Sequence, residues 1–156
     1  MLTGDIHSSW AMDIPAARSA SGYVSAGVEF VCPSVTSDGF YELVRAAQPA
    51  GTPIQTLLSA TRSVTGAVAG ANPWVLYLDG IGHGYTLIDV TPDRVQADYY
   101  LTPAPSAAQP DPRIDPDVEP GYDRSFQTLA GSRRVSPAVG AVADRSDYPV
   151  RGPDRR

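Results

Sequence analysis

The sequence has no lysine, a single cysteine and only two histidines among its 156 residues. Because Cys32 has no second cysteine to join, an internal disulfide bond is excluded. Acidic residues outnumber arginines by 17 to 12, so the formal net charge is -5. A nucleic-acid-binding surface is normally basic, and this charge therefore argues against a nucleic-acid platform.

Long apolar runs are also missing. No stretch approaches the roughly 18 consecutive apolar residues of a membrane-spanning helix, so we predict no membrane span. The first residues lack the basic start and apolar core of a secretory signal peptide. The chain itself therefore indicates no cellular location.

The first two thirds of the chain has the patterns of a packed α+β domain. A Val/Phe-rich run at residues 27–32 stops at Pro33 and predicts a buried strand that leads into a polar loop. Residues 38–47 then predict a short amphipathic helix, in which Asp38 serves as a cap. The apolar side of this helix is expected to consist of Phe40, Leu43, Val44 and Ala47.

A second helix is predicted to start at Thr52 and to weaken at Gly66. Thr52 and Gln55 have the spacing of a capping box, and Pro53 occupies the first helical position, where proline is tolerated. The apolar side of this helix is expected to consist of Ile54, Leu57, Leu58, Thr61 and Val64.

Three further strands are predicted where the hydrophobic period changes to two. In the first run, Trp74, Leu76 and Leu78 alternate with Val75, Tyr77 and Asp79. Residues 83–90 and 95–101 alternate in the same way, and turn residues separate the runs. We interpret them as a three-stranded antiparallel meander. Strands before and after two helices predict an α+β fold.

The last third of the chain is poorer in apolar residues. Residues 103–121 contain six prolines and little to bury, which predicts a flexible linker. Residues 122–156 are expected to be a mostly disordered tail with one strand at residues 125–129. These boundaries leave residues 1–102 as the folded part.

The strongest candidate for a functional site lies near the N-terminus. In an extended chain, Asp5 and His7 would point to the same side with their Cα atoms roughly 6.6 Å apart. A carboxylate and an imidazole at this spacing can both reach one cation. The alternative interpretation is an ordinary surface turn.

Three segments in order carry a family resemblance. Residues 4–13 (GDIHSSWAMD) resemble the C-terminal metal-ligand segment of the alkaline phosphatase D family, phosphodiesterase/phosphatases of the metallophosphoesterase superfamily. Residues 28–37 (VEFVCPSVTS) and 72–92 resemble the following segment and the closing hairpin of that family. The family pattern begins well before Met1, so the resemblance covers only its C-terminal part.

The resemblance implies a fold, a chemistry and a set of residues. The fold would be the C-terminal part of a metallophosphoesterase-type β-sandwich with flanking helices. A cluster of iron with calcium would activate a hydroxide that attacks a phosphate mono- or diester, with Asp5 and His7 as metal ligands. Ser8, Ser9 and Trp10 would lie near the substrate. The family is typically exported, extracellular or in the cell envelope.

The resemblance leaves the ligand set incomplete. The other family ligands lie upstream in its pattern, and Cys32 does not correspond to the cysteine among them. His83, between two glycines, is a candidate third ligand or phosphate donor, or it donates to a nearby carbonyl. We therefore expect the isolated chain to be inactive.

A second hypothesis is a non-catalytic remnant or a subunit of a split protein. Such a chain would act as a small sheet module and would bind its missing N-terminal part or associate with itself through open sheet edges. An upstream extension that carries the remaining ligands would favour the enzyme.

Overall fold

A computed structural model describes residues 1–19 and 22–143 of the chain. This part of the chain forms two four-stranded sheets and two α-helices. The helices are α1 Phe40–Ala46 and α2 Ile54–Ala71. The strands are β1 Leu2–Thr3, β2 Ser9–Ser19, β3 Gly22–Val31, β4 Val75–Asp79, β5 Gly84–Val90, β6 Arg94–Leu101, β7 Gly121–Leu129 and β8 Ser136–Pro137.

The first sheet has the strand order β1-β3-β2-β4. β1 runs parallel to β3, and the other neighbours are antiparallel. No strand was predicted at β2, which contains Pro15 in its interior. The pairing of β2 with β3 shifts register on both sides of Pro15, so the missing N–H falls at an irregularity rather than within a regular ladder.

The second sheet has the order β5-β6-β7-β8 and is antiparallel throughout. The predicted meander is therefore wrong, because β4 pairs with β2 in the first sheet and only β5 and β6 are hydrogen-bonded neighbours. The turn after β4 separates the two sheets. Asp79 stabilises it by accepting hydrogen bonds from the N–H groups of Ile81 at 3.0 Å and Gly82 at 2.7 Å.

The core lies between the two sheets, as in a β-sandwich. Tyr77 of the first sheet stacks on Phe126 of the second, with ring centroids 5.2 Å apart. Tyr99 is fully buried and donates its hydroxyl hydrogen to the carbonyl oxygen of Trp10 in the opposite sheet. The predicted α+β fold class is confirmed.

The helices pack around a smaller apolar cluster that contains Tyr41, Leu57, Leu58 and Ile81. The predicted apolar side of α1 is only partly correct: Phe40 and Val44 are half-buried, but Leu43 is 63% exposed. The fully buried residues of the helix are Tyr41 and Glu42. A helix of seven residues has too few turns for spacing alone to identify its buried side.

The predicted cap of α2 is also wrong. The helix begins at Ile54 after Pro53, and the Thr52 hydroxyl donates to the carbonyl oxygen of Pro49 at 2.7 Å. Its buried side was predicted correctly at Leu57, Leu58 and Thr61, but Val64 is exposed. Buried Thr65 takes the neighbouring place on that side.

The Pro-rich segment at residues 103–121 packs on the domain rather than extending from it as the predicted linker. It contains a short 3₁₀ helix, Pro112–Ile114, in which Pro112 is buried. Residues 121–137 include β7 and β8, which corrects the prediction of a mostly disordered tail for this part. Residues 144–156 of the predicted tail lie outside the described residues.

Within residues 1–19 and 22–143, no helix is both long enough and apolar enough to cross a membrane.

Candidate functional site

The segment with Asp5 and His7 is a tight turn and not the extended strand that the sequence suggested. β1 pairs with β3 only through Leu2 and Thr3, after which the backbone turns. The N–H of Ile6 donates to the carbonyl oxygen of Gly4 at 2.9 Å, and Asp5 between them has a φ of 72°. This is a γ-turn with positive φ at its centre, a rare and strained conformation.

His7 is also in the left-handed region, with a φ of 54°, and its side chain has a defined partner. The Nδ1 atom lies 2.8 Å from the backbone carbonyl oxygen of Asp38. A carbonyl oxygen only accepts, so Nδ1 carries a hydrogen, and in the neutral imidazole this leaves the lone pair on Nε2. Metal-binding histidines commonly have this arrangement, in which a carbonyl fixes the tautomer. The neighbouring Asp5 is exposed.

The partner of His7 belongs to a loop, residues 34–39, that is fixed at both ends. At the start, the Ser34 carbonyl oxygen accepts a hydrogen bond from the N–H of Gly84 at 3.0 Å. At the end, the N–H of Gly39 donates to Glu42 at 2.9 Å. A Cβ atom on Gly39 would lie 2.6 Å from the His7 carbonyl oxygen, so only glycine allows this close approach.

Glu42 and His83 form a buried pair behind this loop. The His83 Nε2 and Glu42 Oε2 atoms are 3.3 Å apart, and the two side chains are 5% and 4% exposed. Burial opposes ionisation of Glu42, but the hydrogen bonds from His83 and from the N–H of Gly39 outweigh it and lower the pKa of Glu42 to about 2. Glu42 is therefore an anion at neutral pH that holds both His83 and the end of the loop.

Arg113 reaches the same loop from the Pro-rich segment. Its Nη1 donates to the carbonyl oxygen of Thr36 at 3.0 Å and to the Asp38 carboxylate, while its Nε donates to Asp111 at 3.0 Å. Burial opposes the charge, but the Asp38 and Asp111 carboxylates outweigh it and raise the pKa of Arg113. The Nε atom is also 4.0 Å from the Glu42 carboxylate.

Sequence reasoning found neither Glu42 nor Arg113. A signal existed for Glu42, which stands three residues after Gly39 at the start of a helix, where an acidic residue can accept from the capping N–H. None existed for Arg113, which lies among prolines and aspartates without periodicity.

The residues predicted to lie near the substrate are inside the domain. Ser8, Ser9 and Trp10 are all buried, and the Trp10 indole N–H donates to the Ser8 hydroxyl at 2.7 Å. Ser8 and Trp10 thus satisfy each other's polar groups. A role of these three residues beside a substrate stays a prediction.

The structure does not bring His83 to Asp5 and His7 as a third ligand. Across residues 1–19 and 22–143, no three histidine, cysteine, aspartate or glutamate side chains gather around a point that could hold a metal ion. Instead of a carbonyl, His83 has the Glu42 carboxylate as its side-chain partner. The described residues therefore offer one exposed carboxylate and one imidazole with a fixed Nδ1 hydrogen bond, which fit part of a metal site but not a whole one.

Comparisons with known proteins agree with the resemblance seen in the sequence. The pattern of the family described as PhoD-like phosphatase matches residues 1–99. A solved structure described as "Structure of PhoD" superposes with a TM-score of 0.59 at 23% identity. That match covers 90% of this chain and 22% of the other, so the chain spans about a fifth of the solved protein. No curated protein matches the chain.

Proposed function

Since this chain belongs to the PhoD-like phosphatase family, we propose that it takes part in metal-dependent hydrolysis of phosphoric esters, with Asp5 and His7 as metal ligands. The observation that carries the proposal is the hydrogen bond from His7 Nδ1 to the Asp38 carbonyl oxygen, because it leaves Nε2 free to bind a cation. The exposed Asp5 carboxylate beside it supplies negative charge.

Backbone strain at the two residues supports the same assignment. Asp5 and His7 both have positive φ, and such conformations persist where the surrounding structure imposes them, often at ligand sites. Because Asp5 and His7 lie in a turn, the directions of their side chains are set by the turn and not by the alternation of an extended strand.

The proposed metals are iron and calcium, as the resemblance implies. Hard cations prefer carboxylate oxygen and iron also accepts imidazole, so both donors suit such a cluster. When bound, the cluster supplies a hydroxide at ordinary pH for attack on phosphorus. In this chain, Asp5 contributes charge and His7 contributes a neutral nitrogen whose orientation is set before any metal binds.

The substrate is proposed to be a phosphate mono- or diester, and the location to be exported or in the cell envelope. Both proposals come from the family resemblance alone. A second candidate function is a sheet module that pairs with another chain. It is supported by the incomplete set of metal donors among the described residues.

Metal binding by a protein that joins this chain to the rest of the family domain tests the first proposal. We expect Asp5→Asn to lower the affinity for added iron or calcium by roughly 10-fold or more, since it removes a charged ligand. Asparagine tolerates positive φ, so the turn should survive the change. Element analysis after equilibrium dialysis measures the bound metal, and Asp117→Asn, at an exposed site outside the turn, is the matched control.

Activity provides the second measurement. We expect the isolated chain to hydrolyse chromogenic mono- and diesters far more slowly than about 1 per second, because two ligands do not hold a cluster. In a protein that joins this chain to the rest of the family domain, Asp5→Asn should lose far more activity than His83→Asn. Equal metal binding by Asp5→Asn and the control would contradict the proposed role of Asp5.

A further inference from the structure

Arg113 is the residue through which the Pro-rich segment contacts the loop at residues 34–39. Its side chain is 10% exposed, and its guanidinium group joins the Thr36 carbonyl oxygen, the Asp38 carboxylate and the Asp111 carboxylate. The planar guanidinium holds its donors in a fixed geometry, so these contacts constrain one another. Arg113 therefore links residues 36–38 to the Pro-rich segment, which follows β6 in the chain.

The constrained residues include the partner of His7. Nη1 contacts the chain at Thr36 and at Asp38, while the intervening Ser37 N–H donates to the Ser34 hydroxyl at 2.7 Å. The peptide between these contacts has little freedom to rotate. The Asp38 carbonyl oxygen that accepts from His7 belongs to the next peptide unit, which Arg113 holds through the Asp38 side chain and Glu42 holds through the Gly39 N–H.

Other contacts of the loop lie at its ends. The Gly84 N–H binds the Ser34 carbonyl oxygen, and Glu42 binds the Gly39 N–H. Neither contact touches Thr36 or the Asp38 side chain, which is itself 65% exposed. Residues 35–38 are exposed, so without Arg113 the middle of the loop would keep only the internal Ser34–Ser37 bond and the hydrogen bond from His7.

We propose that Arg113 is a positioning residue, which sets the tautomer and orientation of His7 through the Asp38 backbone carbonyl. This inference rests on the proposed function in one respect only, namely that the oriented His7 presents its Nε2 to a metal ion. Arg113 lies outside residues 1–99, which carry the family match. The segment that carries Arg113 therefore lies outside that sequence match.

The His7 tautomer in the metal-free chain tests the proposal directly. We would record ¹⁵N shifts of the histidine ring nitrogens while the pH is raised, until the shifts no longer change and report the neutral imidazole. The wild-type chain should show a protonated Nδ1 and an unprotonated Nε2 for His7. In Arg113→Gln the two shifts should converge, as expected for an imidazole that exchanges between tautomers.

Two further variants make the result specific. Arg94→Gln removes another partly buried arginine, which pairs with Asp89 at 3.2 Å in the second sheet, and it should leave the His7 shifts unchanged. Arg113→Lys keeps the charge but lacks the planar guanidinium that reaches several partners. The two His7 ring-nitrogen shifts should therefore converge less than in Arg113→Gln.

Amide spectra of each variant establish whether it is folded. If Arg113→Gln does not fold, Arg113→Lys decides the question. Folded Arg113 variants that keep the wild-type His7 tautomer would overturn the proposal, as would an equal change in Arg94→Gln. The tautomer is measured in the metal-free chain. Metal binding and phosphoesterase activity are measured in separate experiments, so their failure would not change this result.

Discussion

At the scale of single residues, the buried pair of Glu42 and His83 couples folding to pH. The pKa of Glu42 is lowered from 4.5 to about 2, so the unfolded chain takes up a proton before the folded chain does. The stabilisation from this group is complete above about pH 4.5 and is lost as the pH falls toward 2. It amounts to roughly 3 kcal/mol when fully present.

We therefore expect Glu42→Gln to change the pH dependence of stability. The difference in free energy of unfolding between wild type and variant should be largest above pH 4.5 and should shrink between pH 4.5 and 2. Urea denaturation at a series of pH values measures it. Glu119→Gln, at an exposed position, should give a small difference independent of pH, and the same flat profile for Glu42→Gln would contradict the assignment.

At the scale of elements, the start of β5 depends on a glycine. Gly84 has a φ of 154°, and a Cβ atom there would lie 2.0 Å from the Tyr100 carbonyl oxygen on β6. Backbone atoms at this distance cannot move aside without breaking the pairing of β5 with β6. We expect Gly84→Ala to lower the free energy of unfolding by about 3 kcal/mol.

Gly121 supplies the matched control for that change. Gly84 and Gly121 both pair with Leu101, from opposite sides of β6. A Cβ atom on Gly121 would meet nothing within 4 Å. Gly121→Ala should change stability by no more than about 0.5 kcal/mol. Thermal or urea unfolding of both variants compares them, and similar losses would show that the contact at Tyr100 is not decisive.

At the scale of the whole molecule, the outer edges of the two sheets pair with no further strand within residues 1–19 and 22–143. β5 is the outermost strand of the second sheet and carries exposed Tyr85, Leu87 and Val90. A seven-residue edge without lysine or proline has little protection against pairing with another chain. We expect the chain to associate with itself, or with a missing part of the family domain, through this edge.

Leu87→Lys tests this expectation by placing a charge on the edge strand. It should reduce concentration-dependent association, measured by light scattering or sedimentation. Leu43→Lys adds the same charge at an exposed leucine of α1, away from any sheet edge, and should have no such effect. A wild-type chain that remains a monodisperse monomer with a sharp unfolding transition would contradict the role of open edges.

The sequence by itself determined the elements with a clear local period and the family. Alternation identified the strands that begin at Val75, Gly84 and Arg94, and spacing identified most of the buried side of α2. The motif with Asp5 and His7 led to the family that the comparisons confirmed. These features are local because each depends on neighbours within a few positions along the chain.

Only the tertiary structure decided which elements pair and which residues meet. Alternation predicts a strand at residues 75–79 but does not identify β2 as its partner. The irregular pairing that accommodates Pro15 in β2 is seen only when β3 is present. Arg113 and Asp38 are 75 positions apart. No local pattern records such a contact, since it arises from where the folded sheets bring the Pro-rich segment back to the loop that orients His7.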